Sequence, residues 1–285
     1  MEKIELFLIN ETSQKNRLNT VYNELKKIQK FVNVNKIVAC STEEAKQQMF
    51  SSIEYEAYLN ITQGPVRTDI LPTWAAVACA LSHKKCWEKL ISDNLDYAII
   101  CEDDILINNP DLLLFKIFQA KKIMVNSLAN TPTILDNIIP IKTSVLINFN
   151  SRVKHSYPVR TNLHRIKSRY TGSHFYILNK YAAIYLQSRI WPILHQIDIE
   201  IGLLYNDFYL YNMDNCGIKT NPSIPSTVQI CDYDSLKIVF PLLPKSVIQN
   251  IVKFLPSQYK SNYNPPNIQH TYYTYNQPNT HYYHY

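Results

Sequence analysis

Glycine is scarce in this chain, with only four in 285 residues, at Gly64, Gly172, Gly202 and Gly217. Phosphate loops of the GxGxxG or Walker type need glycines at fixed offsets, because only glycine lets backbone amides close around a phosphate. Neither pattern is present, so any nucleotide must be held by other means. No uncharged apolar run reaches the roughly 18 residues of a membrane helix, so an integral membrane segment is not expected. The start, Met1 to Asn10, carries Glu2 and Glu5 inside its apolar run. That argues against a signal peptide and for an opening strand. The six cysteines (Cys40, Cys79, Cys86, Cys101, Cys216, Cys231) include no CxxC pair and no metal-ligand spacing. Most sit in apolar surroundings as small buried hydrophobes, and reduced thiols in a cytoplasmic setting are the expectation.

Acidic residues are missing from one long stretch. None occurs between Asp136 and Asp198, whereas Lys142, Arg152, Lys154, Arg160, Arg165, Lys167, Arg169, Lys180 and Arg189 all fall there. The formal net charge is +6, from 29 basic and 23 acidic side chains. A basic block of this kind suits nucleotide phosphates or an anionic acceptor, and it equally describes a solvated basic face. Aromatics such as Tyr157 and Tyr170 interleave with these cations only sparsely, which gives little support to a nucleic-acid platform.

The chain has enough apolar residues, at 46%, to bury a substantial core. Its first third alternates strand and helix signals. Ile4 to Ile9 reads as a strand, and Asn16 to Phe31 as a helix with Leu18, Val21, Tyr22, Leu25 and Ile28 at helical spacing. Val32 to Ala39 is a second strand, followed by a helix from Thr42 with Ser41 or Thr42 as its cap. Thr73 to Asp93 is the next helix. Its His83, Trp87, Leu90 and Ile91 share one face, so His83 is expected as a packed core residue. Helices at Asp111 to Val125 and Lys180 to Arg189, and strands at Thr143 to Phe149 and His174 to Leu178, complete the pattern. This β-α-β-α order predicts an α/β fold with a mostly parallel central sheet.

The stretch with the most chemistry is Leu95 to Asp104. Tyr97 to Cys101 is a short continuous apolar run, the signature of a strand buried on both faces. It ends in Glu102, Asp103 and Asp104, where ligands of open α/β sheets bind, beyond the carboxyl ends of strands. Three adjacent acids repel unless a cation compensates them, and carboxylates suit hard ions such as Mg²⁺ or Mn²⁺. A solvated turn that breaks the strand is the alternative reading of the same triplet.

The run Ala78-Cys-Ala-Leu-Ser-His83, with Trp87 and then Ala98-Ile-Ile-Cys-Glu-Asp-Asp104, resembles glycosyltransferase family 25. That family includes bacterial lipooligosaccharide galactosyltransferases and collagen hydroxylysine galactosyltransferases. Leu8-Ile-Asn10 with Arg17, Ala39, Thr171-Gly-Ser-His-Phe-Tyr-Ile-Leu178 and Ile197-Asp198 fit its other motifs in order, from about residue 4 to residue 235. The chain departs from the family where Ala75, Ala76 and Ala78 replace the usual Gly-acid-Gly positions, and where Cys40-Ser41 replaces Asp-Gly. These departures bear on donor specificity more than on fold.

The resemblance implies a GT-A type fold, a UDP-sugar donor, a divalent metal (Mn²⁺ or Mg²⁺) and an inverting mechanism. A galactose or glucose would pass to a hydroxyl of a glycan or protein acceptor. On this reading Glu102 and Asp104 ligate the metal, and Asn10, Arg17 and Asp103 face the donor. Strand alternation, which sends 102 and 104 to one side, motivates that division. Inversion needs a base for the acceptor hydroxyl, and Asp198, which ends the acid-free tract, is the candidate, with a helix cap or a surface turn as its alternative role. His174 and His195 are either a third ligand or packing. Two other functions remain open: a catalytically degenerate binding module, and a metal-dependent phosphohydrolase using the same acids. The transferase domain is expected to span residues 1–256. The Tyr/Asn/Pro/His-rich segment 257–285, with His270, His281 and His284, is expected to be a tail without a core.

Overall fold

The computed structural model describes residues 3–63, 70–129 and 143–224. The proposed boundary at residue 256, the segment beyond it, Lys142 and Cys231 lie outside those residues. Strand β1 (Ile4–Asn10), helix α1 (Lys15–Lys26) and strand β2 (Val32–Val38) open the chain as the sequence pattern predicts. Helix α1 is shorter than its apolar spacing suggested. The chain leaves the helix after Lys26 and turns, yet Ile28 remains fully buried, so the apolar period outlasts the helical backbone. Three short helices follow: α2 (Thr42–Gln47), α3 (Met49–Ser52) and α4 (Tyr55–Thr62). A capping box starts the first of these, with Ser41 Oγ accepting from the Glu44 amide and Glu44 accepting from the Ser41 amide.

Helix α5 (Trp74–Ser92) is capped by Thr73, whose Oγ1 accepts from the Ala76 amide at 3.2 Å. It stops at Asn94, which adopts φ 55°, a left-handed conformation that Asn tolerates better than most residues. Strand β3 (Tyr97–Glu102) begins directly afterwards, followed by β4 (Ile105–Ile107) and α6 (Pro110–Ala129). Strands β5 (Val145–Phe149), β6 (Arg152–Val153), β7 (Ser156–Arg160), β8 (Leu163–Ile166), β9 (Tyr170–Thr171) and β10 (Phe175–Asn179) come next. Helices α7 (Lys180–Arg189) and α8 (Ile197–Leu203) and strands β11 (Tyr209–Met213) and β12 (Ile218–Thr220) complete the described residues.

Eight strands form one sheet in the order β2-β1-β3-β10-β5-β11-β8-β7. Strands β1, β2 and β3 run parallel, as do β5 and β11, while β10 opposes both β3 and β5 and β8 opposes both β11 and β7. Six of the eight strands therefore point one way, and β8 and β10 oppose them. The sheet is covered on both faces. Phe7, Ile100, Leu146 and Tyr176 pack on one side with Trp87 and Leu90 of α5 and Leu186 of α7. Leu6, Ile99, Ile147 and Ile177 pack on the other with Leu25 of α1 and Ile117 of α6. This two-sided burial explains why β3 and β10 are continuous apolar runs. Each fully buried Leu or Ile contributes about 1.5–3 kcal/mol. Among the described residues, no helix is long and apolar enough to cross a membrane.

Candidate active site

The reversed direction of β10 builds the site. Because β10 runs against β3, its start lies beside the end of β3, with Phe175 opposite Cys101. The residue before Phe175 is His174, and its carbonyl accepts from the Glu102 amide at 2.9 Å. His174 Nδ1 then lies 3.4 Å from Glu102 Oε2 and 3.5 Å from Asp104 Oδ1. Strand β3 stops at Glu102, and Asp103 and Asp104 form a turn into β4. Glu102 and Asp104 share a side as predicted, but a turn brings them together rather than strand alternation.

Opposite charges meet in this group. Burial opposes a charge on His174, but the Glu102 carboxylate and hydrogen bonds to Asp104 and Glu102 outweigh it and raise its pKa to about 11. Burial likewise opposes the charge on Glu102, and the imidazoles of His174 and His83 overcome it, holding the carboxyl far below its usual range. A protonated His174 therefore compensates Glu102 and Asp104.

His83 meets the other oxygen of Glu102, with Nε2 3.2 Å from Oε1. Its Nδ1 lies 2.9 Å from the Tyr176 hydroxyl, which accepts from Trp87 Nε1 at 3.0 Å. The Trp87 indole can only donate, so one consistent arrangement has Tyr176 donating to Nδ1 and Nε2–H donating to Glu102. His83 is fully buried, as its place on the apolar face of α5 predicted. It also anchors the acidic strand end, a role the helical spacing does not reveal.

Asp103 points elsewhere. Its Oδ2 accepts from Asn10 Nδ2 at 2.7 Å, and its Oδ1 is bonded by Arg17. Burial raises the Asp103 pKa against the pull of both partners. The three residues assigned to the donor thus meet at one point, carried by β1, α1 and the turn after β3. Arg17 Nε and Asn10 Oδ1 are buried there without a hydrogen-bond partner.

Asp198 lies in the first turn of α8. Its Oδ2 accepts from the Gly172 amide and its Oδ1 from the Ile199 amide, both at 2.9 Å. Gly172 has φ +95°, a backbone conformation that favours glycine, and it precedes His174 by two residues. Burial raises the Asp198 pKa, the two amides oppose it, and the Glu102 charge raises it further. His195 is not part of this group; its Nδ1 lies 3.1 Å from Glu200 Oε1.

Among the described residues, two groups have ligand atoms within 4.8 Å of one another: Glu102, Asp104 and His174, and Cys79, His83 and Glu102. Burial pushes the Cys79 thiol well up, which disfavours the thiolate that metal binding requires. The first group fits a hard divalent ion. It offers two carboxylates and an imidazole, with the buried Asp104 Oδ1 facing the His174 nitrogen across 3.5 Å. His174 would ligate an ion only as the neutral imidazole, so an ion held there would displace its proton.

No curated protein matches the chain. Among solved structures, the mannose-1-phosphate geranyltransferase from Thermus thermophilus has a TM-score of 0.36 and 7% identity, over 75% of this chain and 74% of that one. A likeness of that size supports no conclusion about chemistry. The model of glycosyltransferase family 25 (LPS biosynthesis protein) matches residues 3–201, a span that includes Asn10, Arg17, His83, Glu102 to Asp104, His174 and Asp198. The chain belongs to glycosyltransferase family 25 and is a glycosyltransferase.

Proposed function

We propose that the protein is a metal-dependent, inverting hexosyltransferase of GT-A type that moves galactose or glucose from a UDP-sugar to a hydroxyl of a glycan or protein. The observation that carries this reading is the convergence of Glu102, Asp104 and His174, with Asp198 one short loop away. A divalent ion such as Mn²⁺, held by those three residues, would neutralise charge on the departing diphosphate. Asn10 and Arg17 fix Asp103, while Arg17 Nε–H and Asn10 Oδ1 remain to bond the donor's ribose or sugar. An unpartnered buried polar atom costs about 1–3 kcal/mol, which donor binding would relieve.

Asp198 takes the proton from the acceptor hydroxyl as that oxygen attacks the anomeric carbon. Two backbone amides hold its carboxylate in one orientation, and its raised pKa makes it a stronger base than an exposed Asp. The five free thiols among the described residues suit a reducing, cytoplasmic setting. The stereochemistry of the product tests the mechanism. Incubation with UDP-galactose or UDP-glucose, Mn²⁺ and a sugar acceptor, followed by proton NMR of the new linkage, should give the β-anomer. An α-linked product would overturn the inverting mechanism and remove the need for Asp198 as base.

A further inference from the structure

A cavity of about 420 Å³ opens beside Ile199, the residue that follows Asp198. Its lining includes Arg152, Lys154, Arg169, Tyr170, Thr171 and Ile199. Three of these are cations from the acid-free tract, and all three are exposed. The fold gathers them by pairing two short strands. Arg152 lies opposite Thr171 and Val153 opposite Tyr170 in the antiparallel ribbon β6–β9. Lys154 follows β6 and Arg169 precedes β9, so the pairing brings the two to the same end of the ribbon, and Val153 and Tyr170 line the cavity with them. Among the described residues, no ion pair compensates Arg152, Lys154 or Arg169.

The ribbon is fixed to the helix that carries Asp198. Gly202 of α8 lies so close that a Cβ there would meet Arg169 Cα at 3.0 Å and the Tyr170 amide nitrogen at 3.1 Å. Ile199, the cavity's floor on this helix, directly follows Asp198, and Thr171 directly precedes Gly172, whose amide binds Asp198. The cationic wall of the cavity therefore adjoins the candidate base through Ile199 and Thr171, each next in the chain to Asp198 or to the glycine that binds it. The clamp on Asp103 is built from other elements, β1 and α1.

We infer that this cavity is the acceptor subsite and that it selects an anionic acceptor, a saccharide bearing a carboxylate or a phosphate. The assignment of the ligand as acceptor rests on the transferase reading above; the anion preference itself does not. The anionic group sits against Arg152, Lys154 and Arg169, and the hydroxyl to be glycosylated reaches Asp198. Thr171 adds a hydroxyl within the same wall.

Equilibrium binding to the full chain tests this without turnover. The probes are 4-nitrophenyl β-D-glucuronide against 4-nitrophenyl β-D-glucoside, and glucose 6-phosphate against glucose, observed by ligand NMR. At least one anionic probe should bind about tenfold tighter than its neutral counterpart, the sum expected of a few solvent-exposed ion pairs. The pair that shows the preference distinguishes a carboxylate from a phosphate. The preference should collapse in the double variant Arg152→Gln, Arg169→Gln, and Lys154→Gln provides a second, independent variant at an exposed position. Equal affinities, or a preference that survives both variants, would overturn the inference. UDP with Mn²⁺ should not displace the anionic probe; competition would assign the cavity to the donor and overturn the acceptor role. Absence of turnover with every UDP-sugar would count against the transferase mechanism, while the binding preference would still decide the anion site.

Discussion

Removing the Arg17 guanidinium should expose how strongly the turn after β3 depends on one charge pair. The Arg17 and Asp103 side chains retain only 16% and 9% of their exposure, so the pair is nearly dry. Breaking a fully buried pair by deleting one partner costs about 3–5 kcal/mol, and an exposed pair is worth only about 0.2–1 kcal/mol. Asp103 keeps the Asn10 bond at 2.7 Å in Arg17→Met, which places the expected loss between those limits, at about 2–3 kcal/mol. The loss should depend on pH. Burial already raises the Asp103 pKa, and without Arg17 it rises further. A carboxyl whose folded pKa lies above its unfolded value favours the folded state at low pH and loses that contribution as pH rises through the folded pKa. The deficit of Arg17→Met should thus be small near pH 4 and largest at neutral pH. Urea unfolding at both pH values measures it, and a double-mutant cycle with Asp103→Asn isolates the charge term. Asp103→Asn should recover most of the loss in the Arg17→Met background. A deficit independent of pH, or no recovery, would refute the buried-clamp account.

Four further outcomes follow from the structure. His174→Ala should weaken Mn²⁺ binding by at least about tenfold, measured by calorimetric titration, since it removes one of three ligand groups; unchanged affinity would remove His174 from the metal site. Asp198→Asn should lower transfer by about 10²–10⁴-fold with little change in donor affinity. In the unsubstituted protein the acid limb of the rate profile should lie above the ordinary carboxylate range near pH 4, because burial raises the Asp198 pKa and the base works only when deprotonated. Gly202→Ala should cost about 1–3 kcal/mol in unfolding experiments, as the new methyl presses on the Arg169 and Tyr170 backbone.

Much of the scaffold was legible because burial on both faces leaves a strong imprint. The runs at Ile4 to Ile9 and Tyr97 to Cys101, and the face of α5 with His83 and Trp87, each matched an element. The edge strand β7 was not legible: it is solvent-exposed along its whole length and carries no alternation. Strand direction was also hidden, because a continuous apolar run reads the same in either sense. That is why His174 could not be separated from packing in the sequence, although the opposed direction of β10 is what sets it beside Glu102. The three acids were visible as a cluster, but their division was foreseen through an alternation that ends at Glu102. Arg17 and Asn10 were found through family motifs; their joint hold on Asp103 depends on β1 and β3 being neighbours.

The central claim is that Glu102, Asp104 and His174 form the centre of a metal-assisted sugar transfer. It is tested most directly by measuring UDP release from UDP-galactose and UDP-glucose with chelator-stripped protein, before and after Mn²⁺ is restored. The account predicts negligible release without the ion, recovery with it, and no recovery in Asp104→Ala protein that remains folded. Equal release with and without Mn²⁺, or full recovery in Asp104→Ala, would contradict it.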